Sequence, residues 1–276
     1  MIQNKMKKIT IEDLADNPIK RLACCLVLDT SHSMFGSPLE KLKKGIKLFL
    51  DTCLKDGRVN EKMQLSIITF GHPDFSGSID EESRIPENGV KKILDFETDW
   101  REFDIPNFSA DGYTPLGEAV ELGLDLLLKQ KQIYKETAGT YEQPWMVIMT
   151  DGKPYDFQSI TKNCGSYLHG FDEHLIDKNP DSDYYGNKVK NSISDIAHKT
   201  SELVNEKKLN VISVAIGNDA DPKIIKTFSP ANKVLRLSNL NFSEFFKFFS
   251  ATMADPSKEV TDHLKDSDSV DLEDLF

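Results

Sequence analysis

The run Leu22-Ala-Cys-Cys-Leu-Val-Leu28 is apolar at seven consecutive positions and stops at Asp29. A strand with one wet face alternates apolar and polar residues. A strand without alternation is buried on both faces, as in a parallel sheet covered by helices. Met63–Phe70, Trp145–Met149 and Leu209–Ile216 read as further strands. Val90–Phe96 is a shorter strand placed at an edge, and Lys233–Leu237 is a last short one. Helical spacing fills the intervals. Leu39, Leu42, Ile46, Phe49 and Leu50 recur after Ser37-Pro38, which predicts a helix with Ser37 as N-cap and Pro38 in the first turn. Pro115–Leu128 predicts a helix with Leu116, Val120, Leu124, Leu127 and Leu128 on one side. Val189–Lys207, Pro222–Phe228 and the Phe-rich Ser243–Met253 complete the series. Strands alternating with helices define an α/β domain, doubly wound around a mostly parallel sheet.

Several classes of function are disfavoured at once. Seven apolar residues fall far short of the ~20 that a membrane helix needs. Met1–Thr10 is polar and lysine-bearing with no apolar stretch behind it, so no signal peptide is expected. The net charge of −11 argues against nucleic acid as a main partner, because phosphate binding needs clustered Lys and Arg. Cys24 and Cys25 are adjacent and point to opposite faces of a strand, and Cys53 and Cys164 lie far away. That is no disulfide framework and fits a reducing, cytoplasmic setting.

The expected organisation is an N-terminal extension over 1–20, a domain over 21–253 and a tail over 254–276. The tail holds eight Asp or Glu against two Lys, too polar to offset its ordering entropy, and reads as disordered. Its Leu272, Leu275 and Phe276 also allow a short recognition segment. Residues 153–188 form a polar insert between a strand and a helix, where about 2–6 residues are usual. It carries Tyr155, Phe157, Tyr167, Phe171, Tyr184 and Tyr185, residue types enriched in interface hot spots.

In open α/β sheets, sites form beyond the carboxyl ends of the strands. The first strand there delivers Asp29-Thr-Ser-His-Ser33, and the fourth delivers Thr150-Asp-Gly152. Asp29, Ser31 and Ser33 stand at alternate positions, so an extended turn puts them on one side. Thr114, in Gly112-Tyr-Thr-Pro-Leu-Gly117, and Asp151 add a hydroxyl and a carboxylate if their loops converge. The set is all hard oxygen with two negative charges. It suits Mg²⁺ or Mn²⁺ completed by water, and suits Zn²⁺ poorly. An incoming carboxylate is a natural further ligand. Each piece has a plainer reading, since Ser and Thr cap helices and Asp-Gly makes turns. The pieces gain meaning from their order along the strands.

Other chemistries fit less well. A phosphohydrolase built on a nucleophilic Asp after the first strand needs an acid two residues on, where Ser31 stands. There is no Gly-x-x-x-x-Gly-Lys-Ser/Thr loop and no Gly-x-Ser-x-Gly elbow. Cys164, His169 and His174 in the insert offer zinc three ligands at a non-standard spacing with no evident fourth, and ordinary loop residues are the better reading.

Asp29-Thr-Ser-His-Ser-Met34, Gly112-Tyr-Thr-Pro-Leu-Gly-Glu-Ala119 and Met149-Thr-Asp-Gly152 resemble the metal-ion-dependent adhesion site of von Willebrand factor type A domains. Val211–Pro222 and Asn241–Ser250 resemble the bacterial TerY-like branch, linked to tellurite resistance. The resemblance covers about residues 20–254. It implies a six-stranded doubly wound sheet with one antiparallel edge strand. It implies a divalent ion held by Asp29, Ser31, Ser33, Thr114 and Asp151. It also implies a protein partner that offers Asp or Glu to the ion. TerY-like members are often encoded beside a protein kinase and a protein phosphatase. His32 departs from the family pattern, which has Gly there, and the insert exceeds the compact TerY-like form. The expected function is therefore a non-enzymatic, metal-dependent binding module, a scaffold or adaptor in a bacterial stress or defence response. The alternatives are a regulatory subunit gating a partner kinase or phosphatase, and a metal-dependent phosphohydrolase.

Overall fold

The structure is a computed structural model that describes residues 8, 19–71, 90–106, 108–112, 114–137, 140–151, 193–217, 222–228, 234–237 and 241–254. Six strands form one sheet in the order β3-β2-β1-β4-β5-β6. They are β1 (Leu22–Asp29), β2 (Met63–Phe70), β3 (Val90–Leu94), β4 (Trp145–Thr150), β5 (Asn210–Ile216) and β6 (Leu235–Leu237). All neighbours are parallel except β2 and β3. The order reverses between β1 and β4, so the crevice outside their carboxyl ends is the switch point where such sheets place ligands.

The unalternating strands are buried from end to end. Their side chains nevertheless divide by parity between two cores. Leu22, Cys24, Leu26 and Leu28 join the core under helices α1 (Ser37–Lys55) and α6 (Phe242–Ala254). Ala23, Cys25 and Val27 join the core under helices α3 (Leu116–Thr137) and α4 (Ile193–Asn205). The adjacent cysteines thus point to opposite faces, and Cys24, Cys25 and Cys53 are free thiols. The Phe-rich helix packs entirely against the first core, with Phe242, Phe245, Phe246, Phe248 and Phe249 all buried. Phe246 and Phe249 lie 5.3 and 5.5 Å from the Phe49 ring of α1, centroid to centroid. Gly45 permits this approach, because a Cβ there would lie 2.7 Å from the Phe242 Cβ.

Three sequence expectations need correction. Ser37 is the first residue of α1 and not its N-cap. The cap is Gly36 at φ 82°, and no side chain bonds the helix end. The hydroxyl loses its capping role because the chain enters the helix from a left-handed glycine. Helix α3 runs to Thr137, nine residues past Leu128, and Leu128 is 41% exposed, on the outer side of the helix. Its spacing from Leu124 fits the buried stripe, but Leu127 already fills that position in the core. A short helix, α2 (Gly57–Lys62), adds to the expected series; Asp56 caps it by accepting from the Arg58 amide at 3.0 Å. Helix α5 (Pro222–Thr227) lies where the sequence places it. The insert at 153–188, the tail from 255 and most of the N-terminal extension lie outside the described residues.

Candidate metal centre

Strand β1 delivers Asp29 at its last position, fully buried. The chain stays extended through Ser31, at φ −64° and ψ 170°, then closes a 3-10 turn over His32–Met34. Ser33 therefore sits in a turn, and not in the continuous extended segment that the alternate spacing implies. It still reaches the same point. Ser31 Oγ and Ser33 Oγ lie 3.0 Å apart, and Ser33 Oγ donates to Asp151 Oδ1 at 2.7 Å. The Ser31 amide donates to Asp29 Oδ1 at 2.7 Å. Four of the five expected residues are thus joined by direct hydrogen bonds at the ends of β1 and β4.

Thr114 arrives by its backbone. The Asp111 amide donates to the Thr30 carbonyl at 2.9 Å, and the His32 amide donates to the Gly112 carbonyl at 3.1 Å. These two bonds dock the loop preceding α3 onto the β1 turn. Thr114 stands two residues later, buried, where it opens the helix.

Two supporting residues lie outside the sequence expectation. Thr150 donates its hydroxyl to Asp29 Oδ2. The signal for it is in the strand register: Leu28 pairs with Met149, so Asp29 and Thr150 are the next neighbours and share a face. Gly71 is the other. At φ 133° it passes so close to the turn that a Cβ would lie 2.3 Å from the Ser31 nitrogen and 2.4 Å from the Thr30 carbonyl carbon. The Thr30 side chain completes this support by donating to the Phe70 carbonyl at 2.9 Å.

Burial pushes the Asp29 carboxyl up to about 7, and the nearby Asp151 charge adds to the rise. The hydrogen bonds from Ser31 and Thr150 oppose it only in part. Two carboxylates and two hydroxyls held this close form a site that a cation would relieve. The donors are all oxygen, as Mg²⁺ or Mn²⁺ requires. Among the described residues no group of three or more His, Cys, Asp or Glu is gathered where it could hold a metal ion. Cys164, His169 and His174 lie outside the described residues.

No protein-family model matches the chain, and no curated protein matches it. Solved structures do. The pilus adhesin SpaC from Lactobacillus rhamnosus GG aligns at 15% identity and TM-score 0.55, over 87% of this chain and 31% of that one. Proximal thread matrix protein 1 from the mussel byssus aligns at 15% identity and TM-score 0.48, over 85% of this chain and 48% of its own; that protein was solved with a zinc-occupied MIDAS motif. A von Willebrand factor type A protein from Catenulispora acidiphila aligns at 15% identity and TM-score 0.45, over 85% and 43%. The chain spans less than half the length of each of these solved structures. At these identities the likeness concerns fold alone. The class that the fold defines is an α/β domain with a six-stranded, mostly parallel sheet and one antiparallel edge. That is the architecture implied by the resemblance to von Willebrand factor type A domains.

Proposed function

We propose that this protein is a metal-dependent protein-binding module. Asp29, Ser31, Ser33, Thr114 and Asp151 hold a Mg²⁺-type ion, and a partner protein completes the coordination with an Asp or Glu. The observation that carries this reading is the hydrogen-bonded chain Ser31–Ser33–Asp151 beside the buried Asp29, at the switch point of the sheet. It brings together residues far apart in sequence whose side chains all offer oxygen to a hard cation. When bound, the ion supplies a positive centre still short of ligands. The chain's own residues orient it: Thr150 and the Ser31 amide fix the Asp29 carboxylate, and Gly71 fixes the turn.

The site is read as binding and not catalytic, since the position two residues after Asp29 holds a hydroxyl, not an acid. The finer assignment, a TerY-like adaptor in a bacterial cytoplasmic stress or defence response, rests on the sequence resemblance. Among the described residues no helix is long and apolar enough to cross a membrane. Calorimetric titration with Mg²⁺ and Mn²⁺ tests the metal. Wild-type protein binds, and Asp29→Ala and Asp151→Ala each lose most of the affinity. Unchanged affinity in both variants overturns the reading, as does turnover of a generic phosphoester by the pure protein.

A further inference from the structure

Three large apolar side chains among the described residues are exposed: Leu54 at 43%, Leu128 at 41% and Phe35 at 71%. The two leucines sit on helix surfaces, where single apolar residues are ordinary. Phe35 differs in kind. It lies two residues beyond Ser33, on the turn that carries the oxygen cluster. Phe49, Phe70, Phe96, Phe108, Phe228 and the phenylalanines of α6 are buried.

The exposure is built in. Ser31 and Met34 are buried and anchor the turn from below. The Met34 amide donates to the Ser31 carbonyl and the Phe35 amide to the His32 carbonyl, each at 3.0 Å. Gly36 then turns the chain at φ 82° into α1, with open space where a Cβ would lie. His32 and Ser33 between these anchors, and Phe35 just beyond them, are exposed. His32 stacks on Phe35, with ring centroids 6.3 Å apart and planes 20° apart. An aromatic pair held on a hydrogen-bonded turn loses little freedom on binding, which is what makes a surface residue effective as an anchor.

We propose that His32 and Phe35 form the second half of the binding site, and that the partner is a protein segment carrying a large apolar side chain within two residues of the acid that meets the ion. This rests on the metal-dependent reading above and deepens it. The spacing comes from the turn. Ser33 and Phe35 are two residues apart, and an extended partner advances roughly 3.3 Å per residue, so the acid over the cluster places its near neighbours over the aromatic pair. Charge complementarity selects the acid, and the exposed His32–Phe35 pair selects the side chain beside it. Recognition of this kind discriminates among acidic partners, which a bare cation does not.

Peptide titrations followed by amide NMR shifts test this on the full chain with saturating Mg²⁺. The probes are acetyl-Asp-Phe-amide, acetyl-Asp-Gly-amide and acetyl-Asn-Phe-amide. Burying one phenyl ring predicts that the Asp-Phe probe binds about tenfold more tightly than Asp-Gly, with the largest shifts at residues 31–36. Phe35→Ser brings the ratio to about one, and Phe35→Leu keeps most of it. Mg²⁺ titration of each variant checks that the oxygen cluster is intact. If both Asp probes bind equally to wild-type protein, the inference is wrong and the metal reading stands. If Mg²⁺ does not bind, or Asn-Phe binds as well as Asp-Phe, the metal reading fails and takes the inference with it.

Discussion

Ser33 and Asp151 stand 118 residues apart in sequence, and the serine hydroxyl donates to the aspartate at 2.7 Å. The contact ties the β1 turn to the end of β4, across the point where the strand order reverses. A site assembled this way depends on both strands finishing at the same height. An ion titration of the site would therefore report on the sheet as well as on the oxygen donors.

The buried carboxylate makes stability depend on pH in a definite direction. The folded Asp29 carboxyl lies near 7, above the 3.8 of an ordinary Asp. The folded state then holds a proton that the unfolded chain has released, so stability falls as pH rises from about 4 to about 7. In chelator the denaturation midpoint should drop across that window, by an amount on the order of a few kcal/mol. A cation favours the ionised carboxylate, so saturating Mg²⁺ should remove most of the drop. A midpoint equally flat with and without chelator would show that Asp29 is not the titrating group.

Asp29→Asn separates the charge from the shape. The amide oxygen can still accept from the Ser31 amide, and the buried charge is gone. At pH 8 in chelator this variant should unfold later than wild type, by about 1–3 kcal/mol. It should also show no thermal shift with Mg²⁺. Thermal melts of both proteins, with and without the ion, measure both effects at once.

Gly71→Ala should damage the site while leaving all five proposed oxygen donors in the sequence. The added Cβ would lie 2.3 Å from the Ser31 nitrogen, on backbone at φ 133°. The turn must move, at a cost of about 1–3 kcal/mol for the overpacking and more for the dihedral. Urea denaturation should show the loss, and calorimetry should show weaker Mg²⁺ binding. A stable variant with full ion affinity would mean that Gly71 does not shape the turn.

Gly45→Ala makes the complementary case far from the ligands. Its Cβ would lie 2.7 Å from the Phe242 Cβ and 2.9 Å from the Phe246 ring. The α1–α6 contact should open, lowering stability by about 1–3 kcal/mol. Ion affinity, measured on the folded fraction, should stay near wild type. Phe249→Ala, which empties space between Phe49 and Trp145, should cost about 3–5 kcal/mol with the same sparing of the ion site.

Legibility in the sequence tracks the strength of the local signal. The unbroken run at 22–28 forces a doubly covered strand, and the strands behave as that run predicts. The consecutive lysines Lys91 and Lys92 on β3, both exposed between buried Val90 and Leu94, likewise mark an edge. Asp29, Ser31, Ser33 and Asp151 can be picked out because a switch point concentrates side chains at strand ends. Thr150 escapes such a reading because its role depends on register between two strands, which no local pattern records. Gly71 reads as a strand breaker; the turn it approaches is 40 residues away in sequence. Leu128 and the end of α3 are missed because helical periodicity does not say which of two adjacent leucines the core will accept.

Helix α6 lies along α1 in parallel: Gly45 faces Phe242 and Phe246, and Phe49 faces Phe246 and Phe249. One side of the sheet is therefore covered jointly by α1 and by the last described element of the chain. During synthesis, α1 and the faces of β1, β2 and β4 beneath it emerge long before their cover does. Until residues 242–254 leave the ribosome, Phe49, Trp145 and Leu26 have no complete core to enter. Nascent chains arrested before Phe242 should be protease-sensitive throughout, and those extended far enough to expose Ala254 should become resistant in one step.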